Sequence, residues 1–149
     1  MDKGEPWTDD KFPPEMKSLC KNPSDEDTER FSAYEWKRAS DIYQEVSIFS
    51  DGISPGDVSQ GELGDCYFLA VCSSMAEDPT RVQQRFITTK PNAAGAYLVD
   101  FYVNGVETPV LIDDWLPTKF EKPAFAHSKT GELWVSLLEK AWAKLHGSF

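Results

Sequence analysis

The spacing of apolar and polar positions predicts three local elements. Across residues 66–76, Phe68, Leu69, Cys72 and Met75 or Ala76 recur every three to four residues, the period of a helix with one buried face. Asp65 stands where an N-cap belongs, and Pro79 lies just past the end. A second, shorter helix is expected at 80–84, capped by Asp78 or Thr80. Across 132–145, Trp134, Leu138, Ala141 and Leu145 form one stripe with Leu137 beside it. Glu139 and Lys140 are assigned to the solvated side of that helix. The sheet signal is a hairpin. Residues 96–103 and 106–113 are rich in Val, Tyr, Phe and Ile, and Asn104-Gly105 between them supplies the two left-handed residues of a type I′ turn. Tyr97, Val99, Phe101 and Val103 share one face of the first arm.

The rest of the chain is punctuated rather than periodic. Residues 1–30 carry Pro6, Pro13, Pro14 and Pro23 and a polar cluster at 22–30, and read as an irregular leader pinned by Trp7 and Phe12. An aromatic and basic stretch at 31–38 leads into a short element at 39–44. Residues 50–57, with Gly52, Pro55 and Gly56, read as a tight polar loop. No internal repeat or low-complexity tract is present.

At 149 residues the chain is one domain or half of a larger one. Its 15 Lys and Arg against 25 Asp and Glu give a net charge of −10. That balance argues against nucleic acid or an anionic membrane as partner and suits divalent cations. No apolar run reaches the length of a membrane span, and residues 1–10 have no signal-peptide core. Cys20, Cys66 and Cys72 form no C-x-x-C pair, which is read as free thiols in a reducing, cytoplasmic setting.

The chemically informative stretch runs from Gln60 to Ala70, reading QGELGDCYFLA. A thiol in the first turn of a helix sits at the positive end of the macrodipole, which favours the nucleophilic thiolate. Gly64 leaves room for a second chain to approach. The Gln60 carboxamide, six residues upstream, is placed to donate to a tetrahedral oxyanion together with the Cys66 N–H. Cys72 reads as core, and Cys20 has no motif. By residue type alone, Cys66 is more often a small buried hydrophobe than a nucleophile, and Asp57 and Glu132 are ordinary solvated acids.

The string Leu63-Gly64-Asp65-Cys66-Tyr67 overlaps the papain-type signature. The longer string resembles the hallmark of the calpain protease core, from which only Tyr67, in place of the usual Trp, departs. The resemblance extends in order through Phe12-Pro13-Pro14, Ser18-Leu19 and Glu35-Trp36-Lys37-Arg38. It continues downstream through Asp113-Asp114, Leu116-Pro117-Thr118-Lys119, His127-Ser128 and Leu137-Leu138-Glu139-Lys140-Ala141. It implies an α+β, papain-like cysteine protease fold, of which residues 31–149 form the mostly helical N-terminal half with its β-hairpin. Cys66 is then the nucleophile and Gln60 the oxyanion donor of a calcium-dependent intracellular endopeptidase acting on protein substrates. It further implies a Ca2+ site from the Ser50 and Gly52 carbonyls and the Asp57 and Glu132 carboxylates, with Asp51, Asp113 and Asp114 as further acids on an exposed rim. Pro55 stands where many members carry Arg, so calcium coupling between the halves is expected to be altered or lost.

A papain-type His is expected about 130–150 residues after the Cys, beyond residue 149. His127 and His146 are therefore read as structural, and the catalytic His and Asn are assigned to a missing C-terminal half of the core. Trp36, Trp115, Trp134 and Trp142 are read as core or as packing against that half. The alternative is a catalytically inactive calpain-like module that binds calcium or a partner protein. A redox thiol protein is disfavoured by the absence of a resolving cysteine.

Overall fold

A computed structural model describes residues 5–50, 52–62 and 66–149. The described residues form an α+β structure of six helices and seven strands in three small sheets. Helices α1 (Met16–Leu19) and α2 (Asp25–Phe31) precede strand β1 (Glu35–Arg38) and helix α3 (Ala39–Ile42). A 3-10 turn (Pro55–Asp57) runs into β2 (Val58–Ser59), followed by α4 (Cys66–Ala76) and α5 (Pro79–Gln83). The hairpin β3 (Ala96–Val103) and β4 (Val106–Asp113) leads to β5 (Trp115–Lys119), β6 (Lys122–Pro123), β7 (His127–Ser128) and α6 (Trp134–His146).

The periodic segments fold as their patterns predict. Asn104 and Gly105 take φ of 51° and 78°, and β3 and β4 pair in register from Ala96–Asp113 to Val103–Val106. Tyr97 and Val99 are buried and Phe101 partly so, while Val103 at the turn is exposed. Helix α4 buries Phe68, Leu69, Cys72 and Ala76. Asp78 caps α5 by accepting from the Thr80 N–H; the capping assigned to Asp65 lies outside the described residues. In α6, Trp134, Leu137, Leu138 and Ala141 are sealed in the main core. Each such leucine contributes about 1.5–3 kcal/mol through burial.

Three expectations are corrected. First, the half is not mostly helical: β1 pairs antiparallel with β5, setting Trp36 opposite Pro117, and β2 pairs with β7. Second, the leader is not irregular throughout. Ser24 caps α2 by accepting from the Asp27 N–H, and the Asp27 carboxylate takes the Ser24 N–H in return. That capping box satisfies two otherwise orphaned donors. Phe12 is the buried anchor expected, packing on Phe149 with ring centroids 5.6 Å apart, and Trp7 is half-buried, its N–H on the Ala94 carbonyl.

Third, Glu139, Lys140, Asp113 and Asp114 do not face solvent. Lys140 and Asp113 are both 0% exposed and paired. Lys140 also donates to the Trp115 carbonyl at 2.6 Å, and Asp113 accepts the N–H groups of Asp9 and Trp115. Lys144 bridges Asp9 and the Leu111 carbonyl. Asp114 pairs with Arg38 at 2.6 Å, and Arg38 reaches on to the Trp7 carbonyl. Glu139 accepts the Ala126 N–H. Charge burial of this kind is tolerated where each ion is paired and hydrogen-bonded. It fastens the leader, the end of the hairpin and α6 together.

Candidate active site

Cys66 is the first residue of α4 and is exposed, whereas Cys72, one and a half turns on, is fully buried. One face of α4 must enter the core, and that requirement places Cys66 and Tyr67 outside it; Tyr67 is 64% exposed. The Gln60 Nε2–H donates to Cys66 Sγ at 3.2 Å. The sequence-predicted carboxamide and thiol are thus side by side on an open surface. Gly64 lies outside the described residues.

What brings Gln60 there is the strand before it. Val58 and Ser59 pair with Ser128 and His127. Gly61 then lies so close to the chain at 124–125 that a Cβ would overlap Phe125 Cα and the Ala124 carbonyl. Glycine is the residue that permits this approach. Glu62 follows, its N–H on the Ala124 carbonyl at 2.8 Å. Its carboxylate takes the Tyr34 hydroxyl and the Lys119 ammonium, the latter at 3.0 and 3.1 Å, and its carbonyl takes Arg30 at 2.9 Å. The Tyr34 bond and Lys119 hold the Glu62 carboxyl below the usual carboxylate range. Burial, then the Glu62 carboxylate, pushes the Tyr34 phenol up to about 12. Gly61 and Glu62 were given no role in the sequence reading. The signal available was the Gln-Gly pair, but the contacting residues lie about 30 and 60 positions away.

The two histidines are committed to backbone. His127 Nδ1–H donates to the Phe125 carbonyl at 2.8 Å, and His146 Nδ1–H to the Trp142 carbonyl at 2.9 Å. Tyr67 accepts the Trp142 indole N–H at 3.3 Å. Trp134 is sealed, while Trp36, Trp115 and Trp142 are partly buried.

Of the four residues assigned to a cation, two meet. Glu132 is not the solvated acid its residue type suggests. It is 1% exposed and accepts the Ser50 N–H at 2.7 Å, the Ser50 hydroxyl, and the Trp134 indole N–H at 3.2 Å. The Asp57 carboxylate instead accepts the Ser54 N–H at 2.8 Å, and its carbonyl takes the Lys129 N–H. Gly52 adopts φ 130° with open space around it. Asp51 lies outside the described residues. A cleft of about 530 Å³ opens beside Glu132, lined by Glu45, Ser47, Ser50, Thr130 and Gly131. Among the described residues no three His, Cys, Asp or Glu side chains cluster as a preformed metal site, and no helix is long and apolar enough to cross a membrane.

A family model described as calpain family cysteine protease matches residues 7–149. The calpain-type cysteine protease ADL1 of Oryza sativa subsp. japonica is 45% identical over 151 residues, covering 96% of this chain and 7% of that protein. Calpain-5 of Caenorhabditis elegans is 37% identical, with 99% of this chain and 23% of that protein covered. The calpain-1 catalytic subunit of Bos taurus is 33% identical, with 100% and 21% covered. The chain therefore spans less than a quarter of the length of each of these relatives.

Proposed function

The chain belongs to the calpain family of cysteine proteases, and from that premise we propose that it is the nucleophile-bearing part of a papain-like endopeptidase core. The observation that carries this reading is the Gln60 carboxamide donating at 3.2 Å to an exposed thiol at the start of a helix. In the complete core, an imidazole from outside these residues takes the Cys66 proton. The sulfur attacks a peptide carbonyl of a protein substrate and forms a tetrahedral oxyanion, held by the Gln60 N–H and the Cys66 N–H. The amine leaves with the imidazolium proton, and water then hydrolyses the thioester. His127 and His146, each with one ring nitrogen on a backbone carbonyl, are structural groups in this proposal.

Calcium dependence and a cytoplasmic location are part of the same proposal. Glu132 supports a cation: its carboxylate is buried, and the partners it has are hydrogen-bond donors without a neutralising charge. Ser50, Gly52, Asp57 and Glu132 offer the hard oxygens that calcium takes. When bound, the ion would supply charge neutralisation at Glu132 and a tie between the 50–57 loop and the start of α6. Calorimetric titration with calcium is expected to give heat that is lost in Asp57→Ala; equal heats would remove Asp57 from the site.

The second reading, an inactive calcium- or partner-binding module, is favoured by Tyr67, whose hydroxyl is engaged by Trp142. Acylation separates the two. With a peptidyl p-nitrophenyl ester, which needs no protonated leaving group, Cys66 is expected to be acylated ahead of Cys20. The rate should fall by about 10²-fold in Gln60→Ala. No acylation at Cys66, or no effect of Gln60→Ala, would favour the module.

A further inference from the structure

We propose that Glu62 is a positioning residue that holds the Gln60 carboxamide against Cys66. The inference rests on the roles of Gln60 and Cys66 given above and extends them to a side chain that touches neither the thiol nor the substrate. Between β2 and the described start of α4, the two described residues after Gln60, Gly61 and Glu62, are both held by distant parts of the chain. Gly61 is pressed onto the backbone at 124–125 without room for a Cβ. The Glu62 N–H is tied to the Ala124 carbonyl at 2.8 Å, and the Glu62 carbonyl to Arg30 of α2 at 2.9 Å. Both oxygens of its carboxylate are taken, by Lys119 at the end of β5 and by the Tyr34 hydroxyl between α2 and β1.

Lys119 is presented by a turn in which Phe120 and Glu121 take φ of 52° and 61°. That left-handed pair is uncommon for a bulky aromatic residue. Phe120 itself is 87% exposed, so core packing of its ring does not explain the conformation. The Glu62 cluster does not resemble a generic surface ion pair. Tyr34 is 8% exposed and packs edge-on against Phe125, with centroids 5.5 Å apart. Phe125 belongs to the same stretch of backbone that Gly61 touches. Of the donors facing Glu62, Tyr34 is thus fixed by the smaller of the two hydrophobic cores, which the leader helices help to build. Through Glu62 the leader reaches the candidate oxyanion donor.

A double-mutant cycle on the 149-residue chain tests this, with ester acylation of Cys66 followed by peptide mass spectrometry. Glu62→Ala is expected to slow acylation about tenfold, with Glu62→Gln intermediate because it keeps a partner for Tyr34. In a Gln60→Ala background, Glu62→Ala should have no further effect, since a group acting only through Gln60 cannot act once Gln60 is gone. Tyr34→Phe and Lys119→Met reach the same carboxylate from the other side. Each should slow acylation severalfold while circular dichroism and the unfolding midpoint report an intact fold. Unchanged rates in Glu62→Ala beside a slow Gln60→Ala would overturn the proposal and leave the reading of Gln60 standing. So would an equal slowing by Glu62→Ala in both backgrounds. If Gln60→Ala itself has no effect, the reading on which the proposal rests fails instead.

Discussion

Two carboxylate–ammonium pairs in this molecule have the same chemistry and opposite roles. Asp113–Lys140 is sealed, both side chains 0% exposed. Glu62–Lys119 is open, its side chains 44% and 29% exposed. Burial lowers the Lys140 ammonium pKa, while the adjacent Asp113 charge works against that shift. Water around Glu62 and Lys119 screens their attraction, so the pair adds little to stability. The comparison separates two uses of one interaction. The sealed pair specifies how the leader, hairpin and α6 meet, and breaking it on one side should strongly destabilise the protein. The open pair specifies where one loop lies, and its loss should disturb chemistry with the fold intact.

The largest effect follows from breaking the sealed pair on one side. Lys140→Met leaves the Asp113 carboxylate buried with only N–H donors, which costs about 3–5 kcal/mol; the drop in urea midpoint measures it. A loss under about 1 kcal/mol would mean that the pair is not sealed.

Next comes pH, through one phenol from each region. Tyr97, buried and near the Asp114 charge, and Tyr34, beside Glu62, are each pushed up to about 12. A pKa raised in the folded state means the unfolded chain releases its proton first. The stabilisation is therefore complete below pH 10 and drains away as pH rises toward 12, by about 2–3 kcal/mol per phenol. Urea unfolding from pH 9 to 12 should show a shallower decline in Tyr97→Phe and in Tyr34→Phe than in the wild type. An unchanged slope in either variant would count against the environment assigned to that ring.

Gly61→Ala is intermediate. The added Cβ has backbone on the other side, so the loop must shift, at about 1–3 kcal/mol. Acylation of Cys66 should slow along with the loss in midpoint, and an undisturbed rate would mean Gly61 does not place Gln60. Smallest in stability is Lys119→Met, expected within about 1 kcal/mol of wild type. A larger loss would place the open pair in the same class as the sealed one.

How much of this was legible in the sequence depended on distance along the chain. The Asn104-Gly105 turn, the face of α4 that buries Cys72, and the α6 stripe are local patterns whose energetics are settled within a few residues. The β1–β5 pairing was not, because Pro117 inside β5 argues against a strand until Trp36 is seen opposite it. Lys140 was placed in solvent because helical spacing says which side a residue is on and not what waits there, and Asp113 because an acid reads by type as part of an exposed rim. The two, which pair with each other, lie 27 positions apart. Gln60 and Cys66 were legible as candidates through the motif around them, although what brings the two side chains together is the β2–β7 pairing and the Gly61 contact. Glu62 was silent for the opposite reason: its donors arrive from residues 30, 34 and 119. The same holds for buried Glu132, which accepts the N–H of Ser50, 82 positions away.

The central claim is that Cys66 is a nucleophile toward peptide carbonyls. Its most direct test is casein hydrolysis by a longer chain that joins these residues to a second core half bearing the His and Asn. Hydrolysis should appear in that chain, fall to background on Cys66→Ser, and stay at background for the 149 residues alone. Hydrolysis that persists undiminished in Cys66→Ser would contradict the account.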